Sequence, residues 1–377
     1  MRPTEITTRL AIEALDPMKK AFVGKDEIID LLGICLVGGE NLFILGPPGT
    51  AKTALVHQLA ARLQGKTFDY LLTRFTEPNE LFGPFDIRKL REGELQTNTE
   101  GMLPEASLVF LDELLNANSA ILNSLLVALN ERLFRRGKET RPLAALMFVG
   151  ASNHLPEDDA LHALFDRFLL RVHCENVPGE RLSEVLTAGW KLAAGNTEKA
   201  SLHFDELRLV QSALGGVELG GIRQPFTELI HRIRHAGIPV SDRRAVKLQR
   251  VIAASALLSG RTETRLSDLW VVRHIWDTEE QQEVLASLVN QAITKQPATP
   301  DDHPRARPQE GPDPELVARD IDSIEESLKN DALPEVEKSY LRDRLGILEG
   351  RCQWVKDGSK RDWLLERAAA LWQSLKK

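Results

Sequence analysis

Three cysteines in 377 residues, Cys35, Cys174 and Cys352, are too few and too far apart for a disulfide framework or a zinc site, and they fit a reducing cytosol. No apolar run reaches the roughly 18 residues that a membrane-spanning helix needs, so membrane insertion is not expected. The first twenty residues carry charge throughout and lack a signal-peptide core. A basic excess is also missing. Lysine and arginine total 48 against 55 acids, giving a formal net charge of −7, so no global basic stripe exists for nucleic acid to follow. There is no HExxH, CxxC or nucleophile elbow; His231 and His235 lie four apart but have no third ligand at a recognisable spacing.

What is present is ordered. Short apolar runs at Asn41–Leu45, Thr67–Thr73, Ser107–Asp112, Leu143–Ser152 and Phe168–Cys174 read as strands. Four lack polar alternation, as strands buried on both faces do. Helical stretches such as Thr53–Leu63 and Ser119–Arg132 lie between them. This βαβα order predicts an α/β core with a parallel sheet over residues 1–176. From 177 to 296 the pattern is all-helical, with Ser241 as a candidate cap for a long helix. Residues 297–314 hold six prolines and only alanine among apolar types, the composition of an extended linker. Residues 315–377 carry three apolar stripes at helical spacing: Val317/Ile321/Ile324/Leu328, Leu341/Leu345/Leu348/Cys352/Val355 and Leu364/Ala368/Leu371/Leu375. They predict a small helical bundle, either a docking module or a passive one.

Two motifs carry chemistry. Gly46-Pro47-Pro48-Gly49-Thr50-Ala51-Lys52-Thr53 follows a predicted strand and opens a predicted helix, the context that a phosphate loop requires. Its backbone N–H groups and helix N-terminus suit phosphates, Lys52 suits the β and γ phosphates, and the Thr53 hydroxyl suits Mg²⁺. Ala51 replaces the usual glycine, which is expected to be harmless because that position should enter the helix at negative φ, where alanine fits. The strand Leu108–Leu111 then ends in Asp112-Glu113. Asp112 is suited to hold Mg²⁺ through water, and Glu113 to polarise an attacking water. The plain alternatives are a glycine-rich turn and two acids capping the next helix.

In this order the chain resembles the AAA+ superfamily and, within it, the MoxR family, through Asp112-Glu113, Gly150-Ala151-Ser152-Asn153 and Phe165-Asp166-Arg167-Phe168. Leu72-Thr73-Arg74-Phe75, Leu81-Phe82-Gly83-Pro84 and Val240-Ser241-Asp242-Arg243-Arg244 look most like its RavA branch. The likeness spans about Ala21 to Ile275 and leaves out the tail. It implies a P-loop AAA+ three-layer core, a helical lid, ATP and Mg²⁺ as cofactors, and a homo-oligomeric, hexameric ring. It also implies roles. Asn153 resembles sensor 1, Arg167 an arginine finger acting on a neighbour's γ-phosphate, and Arg243 (or the adjacent Arg244) sensor 2. Val23-Gly24-Lys25 resembles the short box that touches adenine. Pro84–Leu103, with Glu92-Gly93-Glu94 as a turn, and Arg135-Arg136-Gly137-Lys138 look like two hairpins that face the pore in related rings. Arg135, Arg136 and Lys138 either grip an acidic substrate or form a solvated turn. The implied function is ATP-driven remodelling of protein clients, with von Willebrand factor A domain partners typical of the family. A nucleic-acid motor and a nucleotide-gated scaffold are the alternatives.

Overall fold

The structure is a computed structural model. It describes residues 2–306 apart from 93–94, 178–180, 194–201 and 298, and, farther on, 317–318, 321–322, 324–325, 328, 338, 341–342, 345–346, 348–350, 352 and 358–375. The chain divides into two compact units, Met1–Ala306 and Arg307–Lys377.

The first unit is built on five parallel strands: β1 (Leu42–Leu45), β2 (Thr67–Leu71), β3 (Leu108–Asp112), β6 (Met147–Ser152) and β7 (Leu170–His173), ordered β2-β3-β6-β1-β7. Leu42 of β1 pairs with Val149 on one side and Leu170 on the other. Strands β3, β6, β1 and the edge strand β7 are buried almost throughout, while β2, at the other edge, alternates between covered and exposed residues, as a strand with one face open to solvent does. Two antiparallel strands, β4 (Leu133–Arg136) and β5 (Glu139–Pro142), form a separate hairpin before β6. The expected fourth sheet strand began at Leu143, but pairing starts at Met147. Leu143 and Leu146 are buried while leading out of the hairpin, their N–H groups donating to Arg132 and Ser107 carbonyls. Apolarity there marked burial, not sheet pairing.

Helix α1 (Asp26–Gly38) precedes β1, α2 (Lys52–Arg62) follows it, α3 (Ser119–Glu131) follows β3 and α4 (Asp159–Phe165) precedes β7. Beyond β7 the described residues hold no strand longer than an isolated bridge. The lid helix α5 (Asp242–Leu258) starts where Ser241 Oγ accepts the Arg244 N–H at 3.2 Å. It packs on α1 closely enough that a Cβ on Gly38 would lie 3.2 Å from Val251.

The proline-rich stretch differs from its expectation in its first half. The His303 ring stacks on Trp270 at 4.7 Å, Ala306 is buried, and Arg305 pairs with Asp30 of α1 at 3.1 Å. Prolines fix φ but leave stacking and ion pairing available, so this segment is a strap across the first unit. In the second unit Val317, Ile321, Ile324, Leu341, Leu345, Leu348, Cys352, Leu364, Ala368 and Leu371 form one buried cluster, as their spacing predicts. Val355 lies outside the described residues. Arg367 ties the cluster's rim to Asp322 and Glu325.

Candidate functional site

The loop from Gly46 to Thr53 leaves the C-terminal end of β1, between β6 and β7. Gly46 is required there: a Cβ would sit 2.1 Å from the Cys174 carbonyl oxygen. Gly49 turns at φ 83° with open space around its Cβ position, so backbone N–H groups can approach a ligand. Ala51 corrects the sequence expectation. It adopts φ 71°, ψ 22°, the left-handed region, as the residue capping α2. The chain reverses into the helix in one step, and an L side chain is strained there. Lys52 is nearly buried and folds back over the loop, its Nζ donating to the Gly46 carbonyl at 2.5 Å and to Pro47 at 3.1 Å. The loop is buttressed from below by a hydrogen bond from Thr50 Oγ1 to Pro47 O at 2.9 Å and by Cys174 Sγ to Thr50 O at 3.1 Å.

The two expected metal ligands meet. Thr53 Oγ1 donates to Asp112 Oδ2 at 3.0 Å, and the other carboxylate oxygen accepts the Glu113 N–H at 3.0 Å. Among the described residues no cluster of three or more His, Cys, Asp or Glu could hold a metal. A hydroxyl, one carboxylate and room for phosphate oxygens suit Mg²⁺, which keeps waters and substrate oxygens in its shell. Glu113 stands in a left-handed conformation at φ 49°, immediately before the short helical turn Leu114–Asn116. Asn153 is exposed and immediately follows β6, which lies between β3 and β1 in the sheet. This end of the sheet therefore brings together Gly46–Thr53, Asp112, Glu113 and Asn153. Val23 and Gly24 lie before α1, and Lys25 is buried with its Nζ donating to the Glu175 carbonyl. Lys25 thus clamps the chain just past β7.

Arg167 lies at the other end. Its carbonyl accepts from Asn41 Nδ2 at 2.9 Å, just ahead of β1. Five residue steps of extended chain lead from Asn41 to Gly46, about 16 Å at roughly 3.3 Å each, farther than an arginine reaches. The Arg167 side chain pairs with Asp166 at 3.3 Å. Desolvation, then the nearby charge of Arg243, lower its pKa, with Asp166 opposing. Arg243 is exposed and donates to Asn130 Oδ1 at 2.5 Å, near the end of α3. Arg244, the other reading for sensor 2, is instead buried in an ion cluster with Asp277.

The second hairpin forms as read, with Gly137 at φ 58° in its turn. Its arginines are occupied within the chain. Arg135 pairs with Glu131 at 2.6 Å, and Arg136 donates to Gly83 O and Asn79 Oδ1 with its guanidinium 4.0 Å over Phe85. The 84–103 segment closes through a Phe85–Thr97 bridge but contains a short helix, Ile87–Arg91; Gly93 and Glu94 lie outside the described residues. Sequence reasoning passed over Arg171, fully buried in β7, and Asp277. An arginine inside an otherwise apolar strand was the available signal.

Residues 8–212, more than half of the chain, match the family described as the MoxR domain in the MoxR-vWA-beta-propeller ternary systems. The chain belongs to the MoxR family of AAA+ ATPases. Residues 219–289 match the AAA lid domain, so this MoxR domain carries its lid in sequence after the core. Similar relatives include two uncharacterized proteins of Methanocaldococcus jannaschii. One is 36% identical over 70% of this chain and 69% of its own length, the other 31% over 73% and 80%. The chaperone MoxR1 of Mycobacterium tuberculosis is 26% identical over 46% of both chains. A candidate ATPase structure from Cytophaga hutchinsonii superposes with a TM-score of 0.63 over 79% of this chain and 97% of the other; at 20% identity it speaks to the fold.

Proposed function

We propose that this MoxR protein is a subunit of a homo-oligomeric, hexameric ring that hydrolyses ATP at its subunit junctions and uses the cycle to remodel or activate a protein client. The observation that carries the reading is the separation of Arg167 from Lys52 by the length of β1. Each chain holds half of a hydrolytic site at either end of its sheet, and a neighbour completes it. Lys52 and the loop amides bind the phosphates. Thr53 and Asp112 would hold Mg²⁺, which when bound neutralises phosphate charge. Glu113 takes a proton from the attacking water, and Asn153 orients that water. Arg167 and Arg243 offset charge on the neighbour's phosphates. A von Willebrand factor A domain protein is the proposed client or adaptor, since the matched family is described in MoxR-vWA systems. The net charge of −7 and the occupied hairpin arginines favour a protein client over nucleic acid. The finer placing in the RavA branch rests on the three quoted segments alone.

Two variants test the site. Lys52→Ala should lose binding of a fluorescent ATP analogue. Glu113→Gln should keep that binding while turnover drops at least a hundredfold, because the amide leaves ground-state phosphate contacts intact. Normal turnover by Glu113→Gln would sink the assignment. The ATP-locked Glu113→Gln protein also serves as bait for a von Willebrand factor A client, whose absence would remove that partner.

A further inference from the structure

Arg171 is fully buried in β7. Its guanidinium donates to Ile275 O at 3.1 Å and Phe165 O at 3.2 Å, lies 4.3 Å over the Phe165 ring, and pairs with Asp277 at 3.1 Å. Arg244, on the first turn of the lid helix, pairs with the same carboxylate at 3.1 Å and donates to Ile275 O at 2.6 Å and Pro239 O at 3.4 Å. Two buried cations thus share one anion, and the Nε–H groups of both have no partner among the described residues. Burial, and then the charge of Arg244, push the Arg171 pKa down to about 9, with Asp277 pulling the other way. Such a cluster is a poor source of stability, because buried ion pairs seldom outperform apolar packing of the same volume.

What the cluster does gain is geometry. Phe165, gripped by Arg171, ends α4 two residues before Arg167. Arg244, gripped by Asp277, follows Arg243 directly on α5. Half-buried Arg167 comes from the core and exposed Arg243 from the lid, and the charge of Arg243 helps to lower the Arg167 pKa. We propose that Asp277, Arg171 and Arg244 form a positioning cluster that locks the lid helix to the Arg167 turn, presenting Arg167 and Arg243 to the neighbouring subunit as one rigid unit. The proposal rests on the reading that Arg167 acts across a subunit junction. Lid movement and finger placement are then one motion, and a nucleotide-driven shift of α5 moves the Arg167 turn with it.

The test uses the full chain carrying Asp277→Asn or Arg244→Met. The second keeps a neutral Arg171–Asp277 pair and so remains informative if the first fails to fold. For a folded variant we expect kcat down tenfold or more, with KM and the affinity for a fluorescent ATP analogue within twofold of wild type. Mixing it with Lys52→Ala subunits should restore activity above either alone, since its intact loop then meets an intact Arg167. Mixing it with Arg167→Ala should restore none. Wild-type kcat in Arg244→Met, or no recovery with Lys52→Ala while the Arg167→Ala and Lys52→Ala mixture does recover, overturns the cluster's role. If that control mixture also fails in co-assembled rings, the cross-junction reading falls and takes the proposal with it.

Discussion

At the C-terminal ends of the strands, the candidate residues follow directly from where β1, β3 and β6 stop. At the opposite end, Arg167, Arg243 and their supports come from α4, β7, the lid helix and the 275–277 turn, segments spread over more than a hundred residues of sequence. The first end is local, with contacts such as Lys52 to Gly46 and Glu113 to Asp112 made within a few positions, and Thr53 to Asp112 made by strands one removed in the sheet. The second is assembled by tertiary packing. On the proposed function, nucleotide binding and the water-activating groups would belong to the end that forms with the sheet, whereas the contribution made across the subunit junction would depend on the docking of lid to core.

The sharpest way to break this comparison is Arg167→Ala. Loss of a charge-stabilising arginine typically costs about a thousandfold or more in rate. We expect that loss in kcat with analogue binding unchanged, because Arg167 stands about 16 Å of extended chain away from its own loop. An equal loss of binding would mean that the two ends are not separable.

The same contrast explains what was legible in the sequence. The phosphate loop and the acidic pair occupy contiguous positions with fixed steric reasons, so their placement at strand ends could be read directly. Asn153 could be placed through the family resemblance, whose implied sheet order sets its strand beside the acidic pair. Arg243 against Arg244 could not, because adjacent helical residues point about 100° apart and only the lid's docking decides which is buried. Asp277 carried no pattern at all: a lone acid after Ile275-Trp276 gains meaning only when two distant arginines converge on it. The strap was hidden by composition. Prolines signalled a linker, while the stacking of His303 on Trp270 depends on a ring brought close by the fold.

That strap gives a smaller effect, separate from both ends of the sheet. Burial lowers the His303 pKa to about 4, with Asp30 and Asp268 opposing, and Lys19 and Arg305 adding to the shift. Its Nδ1 accepts the Arg305 N–H at 3.2 Å, which requires the unprotonated ring. A histidine depressed on folding contributes its full stability above the unfolded pKa, near 6.5, and loses it as pH falls toward 4. At about 1.4 kcal/mol per unit, the loss is roughly 3 kcal/mol. His303→Phe keeps the stacking and removes the titration. Its thermal midpoint should fall by several degrees less than wild type between pH 7 and pH 4.5. Parallel curves for the two proteins would show that His303 does not carry this acid sensitivity.

The smallest effect separates strain at the two ends. Among the described residues, three non-glycine residues have left-handed backbones: Ala51 and Glu113 at the phosphate-loop end, and Arg132 after α3. Holding an L-residue there costs about 1–2 kcal/mol, and replacing alanine with glycine returns most of that while adding about 0.5–1 kcal/mol of unfolded-state entropy. Ala51 has only a methyl group to lose, so Ala51→Gly should stabilise the chain by roughly 0.5–1 kcal/mol and change analogue affinity less than threefold. Arg132 is different. It donates to Asn41 Oδ1 at 2.8 Å and Gly39 O at 3.3 Å, and its guanidinium lies 4.9 Å from the Phe148 ring. Asn41 in turn holds the Arg167 carbonyl. Arg132→Gly relieves the same backbone strain but removes the shorter of two donors to Asn41 Oδ1, leaving the Phe148 N–H at 3.3 Å, so it should destabilise the chain and lower kcat through Arg167. Denaturant unfolding of both variants decides the matter. If Ala51→Gly proves no more stable than wild type, the loop's left-handed turn carries no strain worth removing.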